Sequence, residues 1–282
     1  MKTIFMTLIT GSLLSIACSA ENAFERVLRH NAEHALYSNA TLDSLLADEQ
    51  TLTTAERIGR WARRFEEAGQ SRYLFGLAEG GYVSEGLIVS DRVQDCVSLT
   101  YRVSELARAS SSDEALRVAL ATRFAGAHPD SLIDAEGRAN YDRPEHLDYS
   151  LDMIRSSHWG TDITRSLSGA KPDGRGSSRY AADSFLYVDK RDLVESELRE
   201  GDIAWLILNP HNRAALKLRK EYGLVIGHIG IIIVEEERPW FVHAASSSLE
   251  GYYEGGQVVK VPLVDYLNRV DRFAGVMVTR FD

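Results

Sequence analysis

Three side chains in this sequence are of types that make and break amide bonds covalently: Cys96, His228 and His243. Cys96 follows Asp95 and opens the stretch Cys96–Ala109, which is apolar and free of Gly and Pro and reads as a buried helix. A helix N-terminus carries partial positive charge that favours a thiolate and lowers a thiol's pKa, and its N–H groups can hold a developing oxyanion. His228, in Gly227-His228-Ile229-Gly230, heads an intensely apolar strand, and histidine is the usual base for a cysteine nucleophile. His243, in Phe241-Val242-His243-Ala244, falls on the next strand, where a polar group could bind the other nitrogen of the His228 ring and fix its tautomer. Antiparallel neighbours can bring the two rings side by side. Two other readings use the same residues. Cys96 could be a small buried hydrophobe with the histidines structural, or the three could hold zinc with a water as fourth ligand. Asp95 and the helix-start position fit a nucleophile better than a ligand, so no metal or other cofactor is expected.

These residues need elements to position them. Asn22–Gly69 reads as helical, with apolar residues three and four apart at Leu42, Leu45 and Leu46, then Ile58, Trp61, Ala62 and Phe65. Ser71–Asp95 is Gly-rich, a loop or small sheet, and Asp113–Phe124 is a second helix after the cysteine. Ser168–Ser178, rich in Ser and Gly, reads as a mobile surface loop. Beyond it the pattern changes. Asp202–Leu208, Gly227–Val234, Trp240–Ala244, Gln257–Pro262 and Ala274–Arg280 are short, β-branched and bounded by turn residues, so they read as strands, with a helical turn at Val264–Arg269. Glu235-Glu236-Glu237 is read as a solvated hairpin loop. Helices first and strands afterwards predict an α+β fold with an antiparallel sheet. The four tryptophans, Trp61, Trp159, Trp205 and Trp240, could stack on sugars, but packing is the better expectation.

Composition narrows the partners. The formal net charge is −9 and no Lys/Arg block stands out, which argues against nucleic acid and anionic membrane surfaces. Residues 1–20 carry one charge, Lys2, then an apolar run and the small-residue close Ala17-Cys18-Ser19-Ala20, the layout of a secretory signal. Cleavage after Ala20 is expected, giving a periplasmic or secreted protein whose remaining cysteine is Cys96. Lipidation of Cys18 is the rival, and Ser15, where lipoprotein signals usually carry Leu, counts against it. No other apolar run is long enough to span a bilayer. An oxidising compartment makes one unpaired thiol notable.

The motifs together are similar to those of the NlpC-type cysteine peptidases, a papain-like superfamily of bacterial cell-wall hydrolases. That pattern has an Asp-Cys helix, a Gly-Asp strand start, a His-(Val/Ile)-Gly-Ile strand and an (Ile/Val)-His-Ala-Ser strand. This sequence has Asp95-Cys96-Val97-Ser98, Gly201-Asp202-Ile203-Ala204, His228-Ile229-Gly230-Ile231 and Val242-His243-Ala244-Ala245-Ser246. Tyr73-Leu74-Phe75-Gly76-Leu77 before the cysteine, and a long insertion after its helix, resemble the N-acetylmuramoyl-L-alanine amidase-like branch. A branch motif within that insertion is blurred here to Arg143…His146-Leu147-Asp148-Tyr149…Asp152-Met153-Ile154. The resemblance covers roughly residues 71–280. It implies a papain-like hydrolase domain over 71–282 with an insertion at about 125–195, preceded by the helical region over 21–70 that the apolar spacing predicts and the resemblance does not cover. It implies Cys96, His228 and His243 as the catalytic set, Tyr73, Asp95, His146 and Tyr149 as substrate contacts, and peptidoglycan stem peptide as substrate. Either the muramoyl–L-alanine amide or the γ-D-glutamyl–diamino acid bond could be the one cleaved. An idle wall-binding module and a thiol acyltransferase on the same core are the alternatives.

Overall fold

A computed structural model describes residues 22–147, 151–173 and 185–282. The expected leader with Cys18, and Tyr149, lie outside the described residues. The architecture is α+β, with one large, mostly antiparallel sheet and helices packed against it.

Capping explains where the first helices start. Asn22 caps α1 (Ala23–Asn31), Ser38 caps α2 (Asn39–Asp48), and Thr53 with Glu56 forms a capping box on α3 (Thr54–Ala68). Gly69, in the left-handed conformation at φ 58°, stops α3. A short parallel pair, β1 (Arg72–Tyr73) and β2 (Val93–Gln94), then brackets the Gly-rich segment and delivers the chain to α4 (Cys96–Ala107). Helix α4 is the central helix: Val97 to Ala107 are all buried. After it come α5 (Ser112–Arg123), the short α6 (Pro129–Leu132) and α7 (Leu151–Arg155), then strands β3 (Thr161–Asp162), β4 (Ala170–Asp173), β5 (Phe185–Asp189) and β6 (Ile203–Leu208). Helix α8 (Arg213–Tyr222) leads to the long hairpin β7 (Ile226–Glu235) and β8 (Arg238–Ala245), followed by β9 (Gln257–Pro262), α9 (Leu263–Arg269) and β10 (Phe273–Arg280).

The sheet runs β2-β1-β9-β8-β7-β6-β10-β5-β4, with β3 on the far part of β10. Alternation along β7 and β8 sets its two faces. Ile231, Ile233, Val242 and Ala244 pack with Trp61 and Phe65 of α3 and Leu99, Val103 and Leu106 of α4. Ile232 and Phe241 pack with Leu263, Tyr266 and Leu267 of α9 and Val276 and Val278 of β10. A third cluster joins Tyr101 of α4 to Leu116, Leu120, Phe124 and Trp159 of the long segment after α4. Trp61, Trp159 and Trp205 are fully buried, and truncating one to Ala would cost about 3–5 kcal/mol. Trp240 lies under the Lys260 ammonium, 5.7 Å from the ring centre.

Two departures from the expected elements have physical reasons. Ala170–Asp173, read as surface loop, is strand β4, paired along its length with β5 and tied by the Lys171–Asp189 ion pair at 3.0 Å. The Gly and Ser residues that flank it in Ser168–Ser178 hide a strand whose partner supplies the order. Glu235 belongs to β7, where it holds Lys260 at 3.0 Å, so the hairpin turn is only Glu236-Glu237, both with positive φ (51° and 63°) as a type I′ turn requires.

The Gly201-Asp202 pair proves to be scaffold. Gly201 has φ 80°, and a Cβ there would lie 2.3 Å from the Ala55 carbonyl oxygen. Asp202 is fully buried and accepts two bonds from Arg280, both 2.7 Å, and one from the Arg199 amide. Removing Arg280 would strand the buried Asp202 charge at a cost of roughly 3–5 kcal/mol.

Candidate active site

Asp95 builds the start of the cysteine helix. One carboxylate oxygen accepts from the Val97 and Ser98 amides at 3.0 and 2.9 Å, and the other accepts from the Gly76 amide at 3.0 Å. Ser98 returns the bond, its hydroxyl accepting from the Asp95 amide at 2.9 Å. The carboxylate is buried, which pushes its pKa up, while the bonds from Ser98, Gly76 and Val97 pull against that shift. It borders the cavity described next, but its oxygens are occupied by the backbone. The Asp95 carboxylate caps α4 and pins the Gly76 segment beside Cys96.

Cys96 is the first residue of α4 and is half-buried. It opens onto a cavity of about 840 Å³ that is also lined by Tyr73, His146, His228 and His243. The expected site residues that are described therefore share one cavity. Tyr73, on β1, hydrogen-bonds the Ser246 side chain. Burial, then the negative charges available to Cys96 and Asp95, push its hydroxyl up to about 12, so it stays a proton donor at neutral pH. His146 lies edge-on to Tyr141 at 5.0 Å.

The two histidines are bonded to each other, His228 Nε2 to His243 Nδ1 at 2.8 Å, with their rings perpendicular. Beta pairing explains the approach: β7 and β8 are neighbours, and a Cβ on Gly230 would lie 2.5 Å from the Phe241 ring, so only glycine lets that ring seat beside the pair. For His228 Nδ1 to accept a proton, Nε2–H must donate to His243. His243 Nε2 then carries its own proton; it is buried with no hydrogen-bond partner among the described residues.

Aromatic rings enclose the pair. Phe273 stacks on His228 at 6.1 Å, with Tyr266 and Phe241 at 6.1 and 5.7 Å, while Tyr253 and Tyr266 flank His243. This burial, with the Arg272 guanidinium nearby, pulls His228 down to about 3. Burial first, and then His228 itself, hold His243 well below the ordinary histidine value. Both rings therefore rest neutral at neutral pH. Among the described residues no group of three or more His, Cys, Asp and Glu is placed to hold a metal ion.

Sequence reasoning missed Tyr253, Tyr266 and Arg272, all of which line the cavity. Tyr266 and Arg272 reach it through the placement of α9 and its turn into β10, for which the sequence carries no local signal.

No family model matches this chain. An isoleucine–tRNA ligase from Chromohalobacter salexigens is 34% identical over 159 residues, 52% of this chain, and the chain spans only 15% of that protein's length. Solved structures give broader coverage. An N-acetylmuramoyl-L-alanine amidase from Bacteroides uniformis matches 80% of this chain and 98% of its own, with TM-score 0.54 and 18% identity. A Legionella pneumophila protein of the DUF1460 family matches 85% and 93%, with TM-score 0.56 and 17% identity. A Bacteroides fragilis protein named as a candidate xylanase matches 79% and 99%, with TM-score 0.54 and 18% identity. These likenesses show a shared α+β fold, and the differing names attached to it leave the chemistry to the site itself.

Proposed function

We propose that this chain is an exported cysteine amidohydrolase, papain-like and of the NlpC type, that cleaves an amide bond in peptidoglycan stem peptides. The observation that carries the reading is the His228–His243 hydrogen bond, set in the cavity onto which the first residue of the cysteine helix opens. In this scheme neutral His228 takes the Cys96 thiol proton at Nδ1 as Sγ attacks the carbonyl carbon. Charge appears only during attack, because burial and Arg272 disfavour a resting imidazolium. His243 Nδ1 accepts from Nε2–H, which fixes the tautomer and stabilises the imidazolium once it forms. The Cys96 amide at the helix start and the Tyr73 hydroxyl are the candidate donors to the oxyanion. The imidazolium then protonates the leaving amine as the C–N bond breaks, and water, deprotonated by His228, releases the acyl group from sulfur.

A structural neighbour carrying the name N-acetylmuramoyl-L-alanine amidase supports the muramoyl–L-alanine bond as one target; the γ-D-glutamyl–diamino acid bond is the other. The expected leader at 1–20 agrees with a substrate that lies outside the cytoplasm, and no helix among the described residues is long and apolar enough to cross a membrane. Mass spectrometry of muropeptides tests the reading. Wild type should release a peptide or an amino-terminal fragment, Cys96→Ala should lose at least about a thousandfold in rate, and chelators should change nothing. Full activity of Cys96→Ala, or inhibition by chelators alone, would overturn it.

A further inference from the structure

Arg272 is an exposed cation on the turn between α9 and β10, lining the same cavity as Cys96 and His228. Among the described residues its guanidinium has no hydrogen bond or ion pair. The adjacent carboxylate, Asp271, faces Lys190 at 3.9 Å. Of the acidic residues lining the cavity, Asp95 is filled by backbone amides, and Asp142 lies on the segment beside His146. Arg272 directly precedes Phe273, the ring stacked on His228. A permanent positive charge in that position works against the chemistry of an empty site. It opposes the imidazolium that must form when the thiol attacks. A bound anion would reverse this, because a carboxylate on the guanidinium neutralises the charge and raises the proton affinity of His228 as substrate settles. The planar guanidinium suits a carboxylate in particular, which it can hold with two parallel hydrogen bonds.

We infer that Arg272 recognises a carboxylate of the peptide substrate, and that this anion is a specificity requirement of the site. The inference rests on the proposed stem-peptide hydrolase reading and deepens it. A γ-linked D-glutamyl residue leaves its α-carboxylate free, and that group lies near either candidate bond. It is the anion Arg272 would hold. Peptides in which it is replaced by a carboxamide should be poor substrates.

The test uses two synthetic muropeptides identical except for that group, carboxylate in one and carboxamide in the other. Wild type should prefer the carboxylate peptide by roughly tenfold or more in kcat/KM, the scale of a hydrogen bond to a charged group. Arg272→Gln should lose roughly that factor on the carboxylate peptide and treat both peptides alike. The loss should fall on kcat as well as KM, since the anion also relieves His228. Arg272→Lys should keep part of the preference, and circular dichroism should show each variant folded. Equal turnover of both peptides by wild type, or a preference retained in Arg272→Gln, overturns the inference and leaves the hydrolase reading standing. If wild type cleaves neither peptide, the hydrolase reading fails and the inference falls with it.

Discussion

The aromatic enclosure of His228 should make the protein acid-sensitive in a way that one substitution can isolate. Its folded pKa lies near 3 and its ordinary value is 6.5, so between these values the unfolded chain binds the proton and the folded chain does not. Stability from this group is complete above about pH 6.5 and is lost as pH falls toward 3. Moving from about pH 7.5 to about pH 5 should cost about 2 kcal/mol through His228 alone, from 1.36 kcal/mol per pKa unit. One ring edge faces the open cavity, which makes this an upper figure. His243, held low by burial, acts in the same direction, so the informative quantity is a difference between two proteins. Urea unfolding followed by circular dichroism at both pH values, on wild type and His228→Gln, measures it. Wild type should lose about 1–2 kcal/mol more than the variant on acidification, with m-values unchanged. A resting thiolate–imidazolium pair would raise the folded pKa instead. Wild type would then lose less than the variant, and that sign would refute the neutral resting state and the general-base step built on it.

Two further outcomes follow from the geometry of the cysteine helix and the histidine pair. Asp95→Ala removes an acceptor from three backbone amides and should destabilise by about 2–4 kcal/mol, read as a lower melting temperature; an unchanged melting temperature would show that water replaces the cap. His243→Ala should lower kcat by about a hundredfold with KM little changed, while His243→Asn, whose carboxamide oxygen can still accept from His228, should stay within about tenfold of wild type. Equal losses in the two variants would mean that His243 acts through packing rather than through its hydrogen bond.

What the sequence made legible depended on how local the cause was. The cysteine helix was readable because its start is written in adjacent residues: Asp95 caps the amides two and three places on, and the apolar run that follows has no breaker. The strands that carry His228 and His243 were readable because β-branched runs end in turn residues, and Gln257–Pro262 matches its predicted bounds. Where pairing decides, composition misleads. Ala170–Asp173 looks like loop until β5 supplies the ladder, and α8 gave no periodic apolar stripe because it buries only Ala215 fully. The site shows the same division. Motif order predicted which residues share the cavity, and Asp95, expected as a substrate contact, borders it with its carboxylate taken up by backbone amides. The motifs gave no sign that the His228 ring is caged by Phe241, Tyr266 and Phe273 beside the Arg272 guanidinium. That cage does not follow from motif spacing, because Tyr266 and Phe273 come from α9 and β10, far along the chain from β7. The protonation state of the histidine pair is a tertiary property here. It is set first by the burial those rings impose and then by the Arg272 charge on the turn from α9 into β10, and that charge ties His228 to whatever anion enters the cavity.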